Sequence, residues 1–187
     1  RYAYATSGSV ASLLSGSQPR TGETVLTVEP PAGRDQRMVR QGPDSVVEQV
    51  LRLQDDGAYL VHLGQATMGF RKEFRPEPPV LAVPLPASVG RAWSWRMTST
   101  DGQTTVDASL RVARSEGVDV GGENVPAIVV EATITTGGDV VSTTRQTLWI
   151  SDRYRLVVQQ QDVTDGRIGT ITFRSESTDR LLSTRPA

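Results

Sequence analysis

The stretch AWSWRMTSTDGQTTVDASLRVA, residues 92–113, decides the fold. Side chains alternate across a β-strand, so Trp93, Trp95 and Met97 share one face while Ser94, Arg96 and Thr98 share the other. After the Asp101-Gly102 pair, a sequence that tolerates the backbone of a tight turn, the alternation resumes. Val106, Ala108, Leu110 and Val112 fall on one side, and Asp107, Ser109 and Arg111 on the other. Two period-two runs joined by a turn form an antiparallel hairpin with one continuous apolar surface. That surface is expected to face the concave interior of a curled sheet.

The same rhythm spreads in both directions. Further strands are expected over residues 2–6, 24–28, 46–53, 59–63, 68–74, 127–134, 140–150, 155–160 and 168–175. Turn chemistry separates them at Asp55-Asp56-Gly57, Gly121-Gly122, Gly137-Gly138-Asp139 and Asp165-Gly166. Short connections imply antiparallel neighbours. A helical period is sustained nowhere, and only residues 10–15 suggest a turn or two of helix. Some strands are apolar on both sides: Ile128, Val130 and Ile134 alternate with Val129, and Val46 and Val50 with Val47 and Leu51. Such strands need cover on both faces. With little helix available, that cover must come from loops or from the sheet folding over itself. The expectation is one all-β domain over residues 1–187, an antiparallel meander forming a strongly curved sheet or half-barrel with little helix. A proline-rich bridge at about residues 76–86 joins its two halves. Trp93, Trp95, Leu110, Val112, Ile128 and Val130 form the expected core, and Trp149 is assigned to the outer face beside Arg145.

Composition narrows the function. The net charge is −1, and the basic residues are scattered, so there is no phosphate-tracking patch and no nucleic-acid partner is expected. Lys72 is the only lysine among many arginines, a bias of high-GC bacterial genomes. The chain has no cysteine, which excludes disulfides, thiolate catalysis and thiolate metal sites. No stretch is long and apolar enough for a transmembrane helix. The chain starts at Arg1, which leaves room for a signal peptide or lipid anchor upstream. LRLQDDGAYLVHL from Leu51 and LWISDRYRLVV from Leu148 echo one another, and each is followed by a Phe-Arg pair.

Catalytic constellations are missing from the pattern. The single histidine, His62, lies between aliphatics and reads as a core or edge residue. No Gly-x-Ser-x-Gly elbow and no phosphate-binding loop exist. Asp55, Asp56, Asp152 and Asp165 are explained by turn chemistry, and nothing marks Glu48 and Glu131 as a facing pair. Arginines and tryptophans in GRAWSWRM point to opposite faces, so they offer no base-stacking platform.

PLPASVGRAWSW (residues 84–95) resembles a motif of uncharacterised bacterial exported β-proteins. TLWISDRYRLVVQQQDVTDGRIGTITFRS (147–175) resembles the strand–turn–strand of the outer-membrane lipoprotein carriers and the mycobacterial lipid-binding lipoproteins. That resemblance implies a half-barrel around an apolar cavity, an extracytoplasmic location and, in some members, acyl-chain binding. The chain departs from the carriers in having no long helices to lid the cavity. Two functions follow. One is a non-catalytic exported binding module for a lipid or other hydrophobic molecule, with Trp93, Trp95, Met97 and Leu110 as ligand-binding residues and no cofactor or metal. The other is a structural or protein-interaction module of the cell envelope, with the same face as a filled core.

Overall fold

The computed structural model describes residues 1–12, 16–67 and 70–187. Six strands form a first antiparallel meander: β1 (Tyr2–Ser12), β2 (Gly16–Val28), β3 (Asp35–Gln41), β4 (Ser45–Gln54), β5 (Gly57–Thr67) and β6 (Phe70–Phe74). After β7 (Val80–Pro84), which also pairs with β5, six more form a second: β8 (Ala92–Thr98), β9 (Thr105–Val120), β10 (Glu123–Gly137), β11 (Val140–Ser151), β12 (Leu156–Ile168) and β13 (Ile171–Leu181). The meanders join through β1 and β13, with Tyr4 opposite Leu181 and Ser12 opposite Phe173. Strand accounts for 76% of the chain, no helix occurs among the described residues, and the sheet is nearly closed and barrel-shaped.

The free ends of the strand order, β6 and β8, meet. Phe74 bridges to Ser99, and the Thr100 amide donates to the Glu73 carbonyl at 2.8 Å. Lys72 on β6 reaches Asp101 at 2.9 Å and Asp139 at 3.2 Å, in the turns that follow β8 and β10. The Ser99 hydroxyl, the Gln103 amide and Lys72 hold the Asp101 carboxyl well below the usual carboxylate range. The sole lysine of the chain thus ties the two ends of the sheet together.

Three hydrophobic clusters fill the curl, and a β-bulge explains how one hairpin serves two of them. Val130 pairs with Val112 but Val129 pairs with Arg114, so Ala113 of β9 has no opposite number. A bulge bends its strand and sharpens the twist. On one side of it, β9 and β10 bury Ala108, Leu110, Val112, Val130 and Ala132. On the other side, β10 buries its opposite face, Val125, Ala127 and Val129, in a cluster with Tyr4, Leu26 and Leu181. The apolar character of both faces of β10 is therefore used, one face per half. The third cluster gathers Leu60, Leu63, Phe74 and Val80 with Met97 and Val106.

Several expectations are corrected. Residues 10–12 continue β1 as strand rather than turning into helix, and residues 13–15 lie outside the described residues. β3 and β7 were not anticipated; β3 carries Asp35 and Arg37, which pair with opposite charges on β4, Arg52–Asp35 and Arg37–Glu48 both closing at 2.8 Å. β12 runs straight through Asp165-Gly166, and the turn comes at Gly169. Gly166 is small for another reason: a Cβ there would lie 2.6 Å from the Phe173 ring. Leu110, Val112 and Val130 are buried as expected, whereas Trp93, Trp95 and Ile128 are only half-buried. Trp149 is on the face opposite Leu148, as the alternation requires, but that face is covered at this level: the ring is 7% exposed, lies opposite Val129 and donates its indole N–H to Glu116.

The bulge makes a direct prediction. Val129→Ala and Val130→Ala, neighbours on opposite faces, should each cost roughly 2 kcal/mol in urea unfolding, as buried truncations do. A strand with one solvated face would tolerate one of the two.

Candidate functional site

The four residues singled out from the sequence lie on one wall. Trp93 is opposite Leu110, Trp95 opposite Ala108, and Met97 opposite Val106. Met97 and Leu110 are 5% and 9% exposed. The part of this wall that carries Met97 and Trp95 is covered. Leu60, Leu63, Phe74 and Val80, with Val47, Leu51 and Ala82 at the margin, pack into one cluster with Met97 and Trp95. Ala87, just after the proline-rich bridge, packs against the cluster that contains Trp93. The Trp93 indole N–H donates to the Leu81 carbonyl at 3.1 Å, which ties β8 to β7. The Trp95 N–H is buried and has no hydrogen-bond partner among the described residues. A cleft of about 480 Å³ touches Leu110; its exposed surface is mostly apolar, with Ala92, Leu110 and Ala132 beside Arg111, Glu131 and Arg145.

The same face of the sheet changes character around the curl. Register carries it from Leu110 to Ala132, then to Gln146, Asp162, Ser177 and Gly8. The adjoining row runs from Val130 through Leu148 to Gln160, Asp179 and Thr6. These side chains form one hydrogen-bonded wall. Arg40 on β3 donates through Nη1 to Gln160 Oε1 at 2.7 Å and to Asp179 Oδ2 at 3.1 Å. Thr6 donates to Asp179 Oδ1 at 2.6 Å. The Gln160 Nε2 group donates to Asp162 Oδ2 at 2.6 Å, and Gln146 Nε2 donates to Asp162 Oδ1 at 2.8 Å. The Arg40 guanidinium also lies over the Tyr4 ring, 4.8 Å from its centre. A cleft of about 400 Å³ opens beside this wall, with Gly8, Asp162, Glu176 and Ser177 in its lining. At Gly8 the chains approach closely, since a Cβ would meet the Glu176 carbonyl at 2.0 Å.

Burial pushes the Asp162 carboxyl above its ordinary range; the Gln160 and Gln146 hydrogen bonds oppose this, Asp179 adds to it and Arg40 draws it back. Burial likewise raises the Tyr4 phenol, with Arg40 opposing. The wall holds two acids and one guanidinium. Elsewhere, His62 is half-buried with Nδ1 3.9 Å from Glu48, and Glu48 is itself bound by Arg37. Glu131 is paired with Arg111 at 2.9 Å.

Arg40, Gln146, Gln160, Asp162 and Asp179 were not anticipated as a site. The signal was present as the alternation Gln160, Asp162, Thr164, but a polar face that looks inward reads like one that looks outward.

No protein-family model matches the chain, and no curated protein matches it. Among solved structures it is similar to the hypothetical lipoprotein YmcC from Escherichia coli K12, at 12% identity over 95% of this chain and 87% of that one, with a TM-score of 0.39.

Removing Arg40 strands the Asp179 carboxylate, which is only 13% exposed. Arg40→Met should cost about 3–5 kcal/mol in urea unfolding, and adding Asp179→Asn should recover a good part of the loss, because the uncompensated charge disappears. A cost equal to that of an exposed pair would contradict the buried geometry.

Proposed function

We propose that this chain is a non-catalytic module of the bacterial cell envelope, with an interior filled by its own side chains and with its contacts made at its surface. The observation that carries this reading is the packing of Leu60, Leu63, Phe74 and Val80 with Met97 and Trp95. The place where an apolar ligand would lie is taken. Large apolar side chains that remain exposed sit on loops and hairpin ends, such as Val89, Ile168, Ile171 and Leu182. Singly placed apolar groups of this kind suit surface contacts more than a cavity. The non-catalytic part is in keeping with the ion pairs that engage Glu48 and Glu131. The envelope part rests on the sequence resemblance of residues 84–175. Among the described residues no helix is long and apolar enough to cross a membrane.

A second reading has one observation in its favour. The buried Trp95 N–H lacks an acceptor, and Trp93 and Trp95 are half-buried rather than sealed. A fatty acid or similar molecule with a polar end would supply that acceptor.

Tryptophan emission separates the two. Under the first reading, saturating oleate or phosphatidylcholine leaves the emission spectrum unchanged, and native mass spectrometry of protein from its own source gives the bare mass. A saturable shift that disappears in the Trp93→Phe, Trp95→Phe double variant would establish the second.

A further inference from the structure

We infer that the flap formed by the tip-ward ends of β11, β12, β13, β1 and β2 packs face to face with the same flap of a second copy of this chain. The flap follows from strand lengths. β2 pairs with β1 from Gly16 to Leu26, but with β3 only from Val25 to Val28. From Gly16 to Thr24 the sheet therefore stops at β2, and among the described residues no strand lies beyond it. Ladder alternation identifies the groups on this open edge. The Leu182 amide donates to the Ala3 carbonyl at 2.9 Å, so odd residues of β1 bond to β13 and even ones to β2. On β2 the main-chain groups of Ser17, Pro19, Thr21 and Glu23 then point to the open side. Pro19 has no N–H to offer there, and a proline on an edge strand works against the addition of another strand. The edge is blocked, whereas the concave face is open.

Val10, Val140, Ile168, Ile171 and Phe173 share that face by register. None of them belongs to the three apolar clusters that fill the curl. Ile168 and Ile171 are 40% and 42% exposed. The Phe173 ring lies down over Gly166, where a Cβ would stand 2.6 Å from it, and this keeps the face flat. Hydroxyls complete the surface: Thr144 and Thr164 bond each other at 2.9 Å, with Ser142 and Ser175 on the neighbouring positions.

Charge selects the occupant. Among the described residues, no charged side chain stands on this face from the row of Val10 to the hairpin tips, in a chain that is 22% charged. The opposite face of the same strands carries Arg145, Asp165, Arg174 and Glu176, paired among themselves. A partner recognised by charge has nothing to read on the concave side. A second copy meets no like charge there and strands no ion. Hydroxyls both donate and accept, so two identical faces satisfy each other across a two-fold axis, and the assembly closes at two. Each residue of a sheet face covers roughly 30 Å², so two flaps together bury on the order of 800 Å², the size of a weak, reversible association.

Sedimentation velocity of the full chain, without lipid, from about 5 to about 500 μM tests this. The coefficient should rise from the monomer toward the dimer value, and the affinity should change less than about twofold between low salt and about 0.5 M salt. Ile168→Asp combined with Ile171→Asp should hold the protein monomeric throughout, with the far-ultraviolet spectrum of the wild type. Pro19→Thr, which restores an edge N–H, should leave the association unchanged. The proposal is overturned by a wild type that stays monomeric, by an association that persists in the double aspartate variant, or by one that strengthens in Pro19→Thr. Monomers that bind phosphatidylcholine vesicles through the two isoleucines overturn it as well. If the double variant does not fold, isotope-filtered Overhauser spectra of mixed labelled and unlabelled wild type decide. Contacts between copies from the Ile168 and Ile171 methyls to the Phe173 ring are expected, and association without them rejects the dimer. Failure here would not touch the filled interior, because none of the flap's apolar residues packs into it.

Discussion

A sheet that has no helix lying on it can be covered only by itself. This constraint governs the molecule. Strands such as β10 are apolar on both faces, and each face has to leave water. The chain meets the demand by curling two six-strand meanders into one nearly closed sheet, joined at β1 and β13 and drawn together again where β6 meets β8. The bulge at Ala113 then bends the β9–β10 hairpin so that one half buries Val130 and the other buries Val129. Where β8 and β9 approach β5, β6 and β7, side chains of the two sides meet in one cluster.

The curl also brings together strands that are distant in the sheet order, and there the interior is polar. Arg40, Asp179, Gln160, Asp162 and Gln146 satisfy one another without an apolar partner. Replacing such a network by apolar residues is often no less stable, whereas removing one member strands the rest. Its specificity lies in position: Arg40 reaches its partners only if β3 is held at the right height and the sheet is tightly curled. The apolar clusters drive the collapse, and the polar wall selects one curl.

Much of this was legible in the sequence, and the failures have physical causes. The β8–β9 hairpin was readable because alternation and an Asp-Gly turn agreed. The echo between residues 51–63 and 148–158 falls on the β4–β5 and β11–β12 hairpins, the fourth and fifth strands of each meander. Alternation also placed Trp149 correctly relative to Leu148. It could not say which face was covered, because a bulge reverses the sense of burial and leaves little trace in composition. β3 was invisible because its charged residues are paired with opposite charges on β4 and β13, partners that only the folded sheet brings within reach. The polar wall was missed for the same reason: Gln160 and Asp162 alternate like surface residues, and only the closure of the sheet turns them inward. Asp165-Gly166 had the chemistry of a turn, yet Asp165 is held by Arg174 at 2.9 Å and Gly166 gives room to Phe173.

The central claim is that the wall carrying Trp93 and Trp95 is occupied by the protein's own side chains. Nuclear Overhauser contacts of the Trp95 indole test it most directly. A filled interior predicts cross-peaks from this ring to methyl groups of the cluster that includes Leu60, Leu63 and Val80. An indole with cross-peaks only to water and to its own strand would contradict the account.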